Sequence, residues 1–482
     1  MKEIKLFTIK ETSCYGEEPT TTSCCAPETI NESTCCSSPE VTVEKPEQKQ
    51  FNLDLPVAII GAGPVGLAAA AHLTKQKVPF IVFESGENVG NNIRKWQHVH
   101  LFSPWQYDID KAARKLLEET DWESPQNDVL PTGKELVDQY LVPLSKLPVL
   151  KEAIRYNSKV ISISRKQNDK MKSLNREKQP FEIYVERNHD IEIVEARAII
   201  DATGTWGNPN PSTSNGVWLN SEKQCKNHIE YGIPDVTKSV KRYADKTVAV
   251  IGGGHSAINT LLELADLQKE FPETKLIWIL RKKNVEDAYG GEEKDALEAR
   301  GALGSKIHSL VDSNKVQVYT PFYTMQVKSM NEQMELVGCY EGEMTIIKGI
   351  DELIVNAGNR PDFSIERELR LSIDPSTESI AALAPLIDPN EHSCGTVRAH
   401  GEEILRQPEQ GFYIVGMKSY GRAPTFLMAT GYEQVRSITA YLAGDIEASK
   451  RVELDLPETG VCSINLQSTQ EESSCNATTG SC

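Results

Sequence analysis

Short apolar runs and amphipathic stretches alternate through the middle of the chain, and they repeat one arrangement twice. Pro56–Ile60 (PVAII) reads as a strand that runs straight into the turn GAGPVG. AAAAHLTKQ then keeps helical character, and Pro79–Glu84 (PFIVFE) is a second strand, so this stretch is predicted as a β-turn-α-β unit. The order returns at KTVAVIGGGHSA, followed by the helix AINTLLELADLQKEF and the strand KLIWILRK. Between the two units KAARKLLEE and KELVDQYLVPL have helical periodicity. KVISISR, FEIYVER and IEIVEARAIID read as strands, the last two as a hairpin, and His98 and His100 alternate on an apparent strand. VQVYT, MQVKSM, MELVGCY and GEMTIIKG continue as β segments, and DELIVNAGNRP follows. A strand, GFYIVG (Gly411–Gly416), and a helix beginning near Thr430 close the pattern. The fold class is α/β.

The two ends lack this periodicity. Residues 1–50 are rich in Ser, Thr, Glu, Pro and Cys, with a loose repeat TSC, TSCC, STCC, and residues 452–482 are acidic and Ser/Thr-rich; both are expected to be disordered tails. Of 482 residues, 52 are Lys or Arg and 69 Asp or Glu, a net charge of −17. That balance argues against nucleic acid or an anionic membrane as a partner. No apolar run approaches the roughly 18 residues of a membrane span, and MKEIKLFTIKETSC has no signal-like apolar segment. A cytoplasmic protein is the expectation. Eight of the eleven cysteines lie in the tails: Cys14, Cys24, Cys25, Cys35, Cys36, Cys462, Cys475 and Cys482.

The two turns carry the chemistry. Gly61, Gly63 and Gly66 form GxGxxG between strand and helix, with Pro64 and Val65 in the turn. The first glycine permits the tight bend, the second lets the backbone approach a pyrophosphate, and the third brings helix and sheet together. Glu84 ends the next strand, where a carboxylate would accept ribose hydroxyls. The competing reading is a glycine turn in some other α/β protein. The second turn is Gly252, Gly253, Gly254, His255, Ser256, Ala257, and its following strand ends in Arg281, Lys282 and Lys283. A guanidinium there suits a ribose 2′-phosphate, which a carboxylate would repel, so the second site is read as built for NADPH. For Arg281 the alternative is a solvated charge at a strand end. Two nucleotide sites on one chain imply electrons passing from a nicotinamide to a second redox cofactor.

On these residues the chain resembles the two-dinucleotide-binding flavoproteins over residues 52–447. The resemblance implies FAD in the first fold and an NADPH-binding Rossmann-like domain inserted within the FAD-binding one. The implied FAD-binding domain spans residues 51–240 and 373–451, and the NADPH-binding domain residues 241–372. IIDATG (with Thr203 and Gly204) and IVNAGNRP look like the family's two crossing strands, and GFYIVGMKSYG, with Gly416, like its closing FAD segment. Two departures stand out: Met417 replaces the usual acid of that segment, and Asn356 replaces a threonine.

No CxxC or Cx4C occurs, and Cys225, Cys339 and Cys394 are far apart and read as core or surface thiols. Without a dithiol relay, reduced flavin must react with oxygen or pass electrons directly to a substrate. FSPWQYD, LPTGKELVDQYL and GGGHSA resemble segments of the flavin-containing monooxygenases, although Ser103 stands where those enzymes carry an asparagine, and the FxGxxxHxxxW signature is absent. The resemblance implies that NADPH reduces FAD, that O2 adds at flavin C4a, and that a soft S, N or As(III) centre attacks the resulting hydroperoxide. Ser103, Trp105, Tyr107 and His255 are candidates to line that pocket. Core packing is the competing reading for Trp105 and Tyr107. His255 is read as fixing its loop or touching a phosphate, and His98 and His100 as structural. The vicinal thiols Cys24, Cys25, Cys35 and Cys36 are soft ligands suited to a thiophilic metal(loid) ion; the alternative is solvated thiols without a role. With the core they make the chain similar to the flavin monooxygenases of arsenic resistance. A reductase of a tail-bound ion, and a metal-binding or redox-sensing flavoprotein, remain the alternatives.

Overall fold

The computed structural model describes residues 54–292, 298–389, 400–424 and 426–454. Residues 1–53 and 455–482, with the tail cysteines, lie outside these residues. The strands in chain order are β1 (Val57–Ile60), β2 (Phe80–Phe83), β3 (Ile154–Arg155), β4 (Lys159–Arg165), β5 (Phe181–Arg187), β6 (Asp190–Ala196), β7 (Ala198–Asp201) and β8 (Ile229–Tyr231). They continue with β9 (Thr247–Ile251), β10 (Lys275–Ile279), β11 (Val316–Tyr319), β12 (Phe322–Met330), β13 (Gln333–Tyr340), β14 (Glu343–Ile350), β15 (Glu352–Val355) and β16 (Phe412–Ile414).

Two parallel sheets of five strands carry the fold, in the orders β16-β7-β1-β2-β3 and β11-β10-β9-β15-β8. Every residue of β1 and β7 is buried, as strands covered on both faces require. One cover is the helix α1 (Pro64–Lys75), whose residues Val65–Leu73 are all buried between the sheet and a late helix of the chain. The other unit sorts its side chains by strand alternation. Val248, Val250, Trp278 and Ile354 enter one apolar core with helix residues Ala257, Leu261 and Leu264, whereas Ala249, Ile251, Ile277 and Leu353 enter another with Phe322, Leu336 and Ile347. The second core lies under the antiparallel sheet β12-β13-β14. The first unit carries its own antiparallel sheet, β4-β5-β6.

Three expectations are corrected. IEIVEARAIID is not one strand: β6 pairs antiparallel with β5, then the chain breaks at Arg197 and β7 joins β1 in parallel. Arg197 makes the break, its N–H donating to Pro56 O at 3.0 Å and its guanidinium to Leu442 O. His98 lies in a turn, and His100 makes only an isolated bridge to Thr132. In KLIWILRK the strand stops at Ile279. β8 also pairs with β15, so the second sheet draws on residues upstream of position 241.

A buried ion triad fastens the β4-β5-β6 sheet to the loop before β16. Glu409 accepts from Arg165 Nε at 2.8 Å and from Arg176 Nη2 at 2.9 Å, and the Arg165 guanidinium stacks 3.6 Å above the Phe181 ring. Truncating the shared anion leaves two cations buried without a counter-charge. Glu409→Ala is expected to lower stability by about 3–5 kcal/mol, read as a shift in the urea midpoint; a midpoint within experimental error of the parent would contradict it.

Candidate dinucleotide sites and their junction

Gly61 has φ +100°, and a Cβ there would lie 2.8 Å from Ala202 O; at Gly66 a Cβ would lie 2.0 Å from Gly61 O. Both glycines are therefore fixed by how closely helix, turn and sheet meet. Gly63 differs. It is the N-cap of α1, with Pro64 at the first helical positions and no side-chain cap, and a Cβ built on it would meet nothing within 4 Å. The space beside the helix N-terminus is thus open, and unpaired N–H groups at such an end suit a phosphate. Val65 packs beside Gly416, where a Cβ would come 3.3 Å from Val65 Cγ2. Glu84 is buried and accepts from Ala62 N at 2.8 Å and Gly86 N at 2.7 Å, so its carboxylate ties the turn to the following loop. Oε1 also accepts from Ser85 Oγ at 3.5 Å, and Oε2 keeps a further lone pair for a ribose hydroxyl.

Sequence reasoning missed the group that holds the far side of this cradle. Lys418, 1 % exposed, donates to Asp201 Oδ2 at 2.6 Å, to Glu366 Oε1 at 2.7 Å and to Thr203 Oγ1 at 3.3 Å. Burial alone would lower the Lys418 ammonium's pKa; Asp201 and Glu366 outweigh it and raise it. Burial opposes ionisation of Asp201 as well, but the Lys418 charge and its hydrogen bonds hold it well below the usual carboxylate range. Glu366, with burial and then the Asp201 charge against it, is pushed up to about 9 and stays protonated at neutral pH. The one available signal was a lysine in the otherwise apolar segment GFYIVGMKSYG. Asp201 Oδ1 also accepts from Thr203 N at 3.0 Å, shaping the turn to Gly204, where a Cβ would again meet nothing within 4 Å. Gly416 N donates to Gln434 Oε1 at 2.8 Å, a backbone contact beside Met417.

The second turn is built with neutral groups. Gly252 has φ +139°, a Cβ on it would strike Asn356 O at 2.4 Å, and Gly252 O accepts from Trp278 Nε1 at 2.8 Å. Asn356 serves where a threonine was expected, its side-chain amide donating to Gly232 O at 2.7 Å. Gly254 caps the sixteen-residue helix α2 (His255–Glu270) without a side-chain hydrogen bond, and a Cβ on it meets nothing within 4 Å. Behind it Ser256 O accepts from Thr260 Oγ1 at 2.9 Å, and Ala257 is buried. Arg281 is exposed just beyond β10 and donates from Nη1 to Ser214 O at 3.1 Å, leaving other guanidinium donors for a phosphate.

The segment after β2 joins the two units. The Phe102 ring lies 5.6 Å from that of His255, Trp96 lies 6.1 Å from Trp206, and His98 Nε2 stands 3.1 Å from Pro234 O. Burial lowers the His98 pKa. Ser103, half-buried, donates to Asp108 Oδ1 at 2.7 Å. Trp105 is 2 % exposed inside the core of the first unit, whereas Tyr107 is half-buried. Cys225 is buried and Cys339 half-buried, both free; Cys394 and Cys24, Cys25, Cys35 and Cys36 lie outside the described residues. Among the described residues no three His, Cys, Asp or Glu gather as metal ligands, and no helix is long and apolar enough to cross a membrane.

Two glycine-turn folds joined in this way define a two-dinucleotide oxidoreductase. The family described as pyridine nucleotide-disulphide oxidoreductase matches residues 58–382, and the chain belongs to it. It is an FAD-dependent pyridine nucleotide oxidoreductase that takes FAD and NADPH. Among its relatives is a ferredoxin–NADP reductase of Lactobacillus gasseri, 26 % identical over 318 residues, which are 65 % of this chain and 76 % of that protein. Another is a flavin-containing monooxygenase, FMO GS-OX-like 9, of Arabidopsis thaliana, 26 % identical over 242 residues, 44 % of this chain and 49 % of that one. The FAD-bound cadaverine monooxygenase DfoA of Erwinia amylovora superposes with a TM-score of 0.60 at 13 % identity, covering 85 % of this chain and 99 % of that one, a likeness of fold alone.

Two outcomes test this geometry. Gly63→Ala fits the extended backbone of the cap, so the protein should melt within about 4 °C of the parent while its affinity for FAD falls at least ~tenfold; unchanged flavin binding by titration would refute the cradle. Glu366, raised in the folded state, adds stability that is complete below the ordinary carboxylate value of 4.5 and is lost as pH rises towards about 9. The melting temperature should therefore decline across that window, and Glu366→Gln should flatten the decline.

Proposed function

We propose that the chain is an FAD-dependent, NADPH-consuming monooxygenase acting on a soft nucleophilic S, N or trivalent As centre. The observation that carries the reading is the Phe102–His255 contact, in which the residue before Ser103 meets the first residue of α2, just after the second glycine turn. A relative named as a flavin-containing monooxygenase and the absence of any CxxC or Cx4C from the sequence support it.

In this reading residues 51–240 and 373–451 hold FAD and residues 241–372 hold NADPH, with β8 of the preceding segment completing the second sheet. Gly61, Gly63, Pro64, Val65 and Gly66 take the FAD pyrophosphate on the open end of α1, Glu84 the ribose, and Thr203, Gly204 and Gly416 the flavin-side chain. Gly252, Gly254, His255, Ser256 and Ala257 take the NADPH pyrophosphate, and Arg281 its 2′-phosphate. Bound FAD supplies the two-electron chemistry between NADPH and O2. The protein's part is to align the two rings, to keep the junction dry with Phe102, Trp96 and Trp206, and to present Ser103 and Tyr107 there. Cys24, Cys25, Cys35 and Cys36 capture a thiophilic metal(loid) ion for the site, a role that fits a cytoplasmic enzyme of arsenic resistance. The name of the Lactobacillus gasseri relative favours a second reading, a reductase that hands flavin electrons to a separate acceptor.

Oxygen separates the two. NADPH oxidation should stop when O2 is removed and should be stimulated by arsenite, a thiol or an amine in air; anaerobic turnover with an added electron acceptor would establish the reductase instead. Arg281→Ala should raise KM for NADPH about ten- to a hundredfold with little change for NADH, and deletion of residues 1–50 should abolish any advantage of arsenite at low concentration.

A further inference from the structure

Ser103 and Asp108 bracket the helical turn Trp105–Asp108. Asp108 is 1 % exposed, accepts the Ser103 hydroxyl on Oδ1 at 2.7 Å, and has no hydrogen-bond partner for Oδ2. The buried polar groups around it are committed elsewhere. The Tyr432 hydroxyl donates to the Asp108 backbone carbonyl at 2.7 Å, and the Tyr140 hydroxyl accepts from Asp110 N at 3.2 Å. The Asp110 carboxylate pairs with His72 at 3.0 Å and caps the helix Lys111–Glu118. Among the described residues no cation pairs with Asp108, so burial alone acts against its charge, and only Ser103 favours it.

We propose that Ser103 and Asp108 form a two-member proton relay at the junction of the two dinucleotide units, with Asp108 holding the proton and Ser103 passing it on. The arrangement has a built-in direction. An ionised Asp108 consumes the Ser103 hydroxyl as a donor. A protonated Asp108 donates to Ser103 Oγ and frees that half-buried hydroxyl, one residue from Phe102 and its contact with His255, to donate to another acceptor. In one passage the Ser103 O–H bond breaks as its proton goes to an acceptor in the junction. The Asp108 proton moves to Ser103 Oγ, restoring the hydroxyl and leaving a carboxylate, which regains a proton from water by the reverse path. No electrons move in this step. Asp108 acts through Ser103 and is a positioning residue. Burial sets its pKa at about 7, matched to proton exchange near neutral pH.

The inference rests on the proposed reading only for what receives the proton; the coupling within the pair stands apart from it. The test therefore has two readouts on the flavin-loaded enzyme. Difference infrared spectra across neutral pH should contain a carboxylic-acid band that is absent in Asp108→Asn and titrates at higher pH in Ser103→Ala. NADPH oxidation should lose rate on the alkaline side with the same midpoint in the parent, and Asp108→Asn should be about a hundredfold slower with that limb gone. An unshifted titration in Ser103→Ala, or a parent-like pH profile in Asp108→Asn, overturns the relay. If turnover proves independent of O2 while the band still moves in Ser103→Ala, the oxygenase reading falls and the relay is kept.

Discussion

One buried ammonium organises the first dinucleotide unit of this molecule. Lys418 lies in the turn after β16, Asp201 ends β7, and Glu366 comes from a short helical turn at Ser364–Glu366, so three distant stretches of chain converge on Nζ. Burying a lone charge costs several kcal/mol even after relaxation. Here the charges balance, because Glu366 keeps its proton and leaves one cation opposite one anion. The Phe363 ring, 5.3 Å from Nζ, closes the site against water. The consequence is positional: β7 and β16 are neighbours in the sheet, and the ion pair pins their carboxyl ends together. The loops that leave those ends, at Gly204 and Gly416, then have fixed starting points beside the open helix end at Gly63. Ligands of open α/β sheets bind at that edge.

The second unit solves the same problem without charge. The Trp278 indole N–H reaches the Gly252 turn from a neighbouring strand, while the Asn356 amide ties the end of β15 to Gly232. Neutral hydrogen bonds are worth less each than charge-assisted ones, and they avoid placing a fixed charge beside the incoming phosphate. Arg281 and Lys283 stay exposed just beyond β10.

Much of this was legible in the amino-acid order because glycine turns and unbroken apolar strands report local constraints. The two βαβ units, the helix after each turn and the β12–β14 sheet are all decided by residues close in sequence. The misreadings share one cause, the dependence of an element on a partner far along the chain. Residues 191–201 look like one strand until Arg197 is seen to anchor on Pro56 and Leu442. Trp105 sits in a segment that resembles a flavin-proximal one, yet its side chain belongs to the core. The Lys418 site joins positions 201, 366 and 418, and no local pattern links them.

Glu366 and Asp108 are both buried acids that favour the neutral form, and comparing them shows what confers chemistry on such a group. Glu366 accepts from Lys418 on Oε1, and burial and the charge of Asp201 keep its proton in place inside the cradle. Among the described residues no such anion or cation pairs with Asp108, and its one side-chain partner is Ser103, which is only half-buried. The difference is access: the same burial that makes Glu366 a fixed strut leaves Asp108 with an exit through Ser103. Whether flavin electrons go to oxygen or to another acceptor, Ser103 follows Phe102, whose ring meets that of His255, and it is a hydroxyl with a carboxyl behind it.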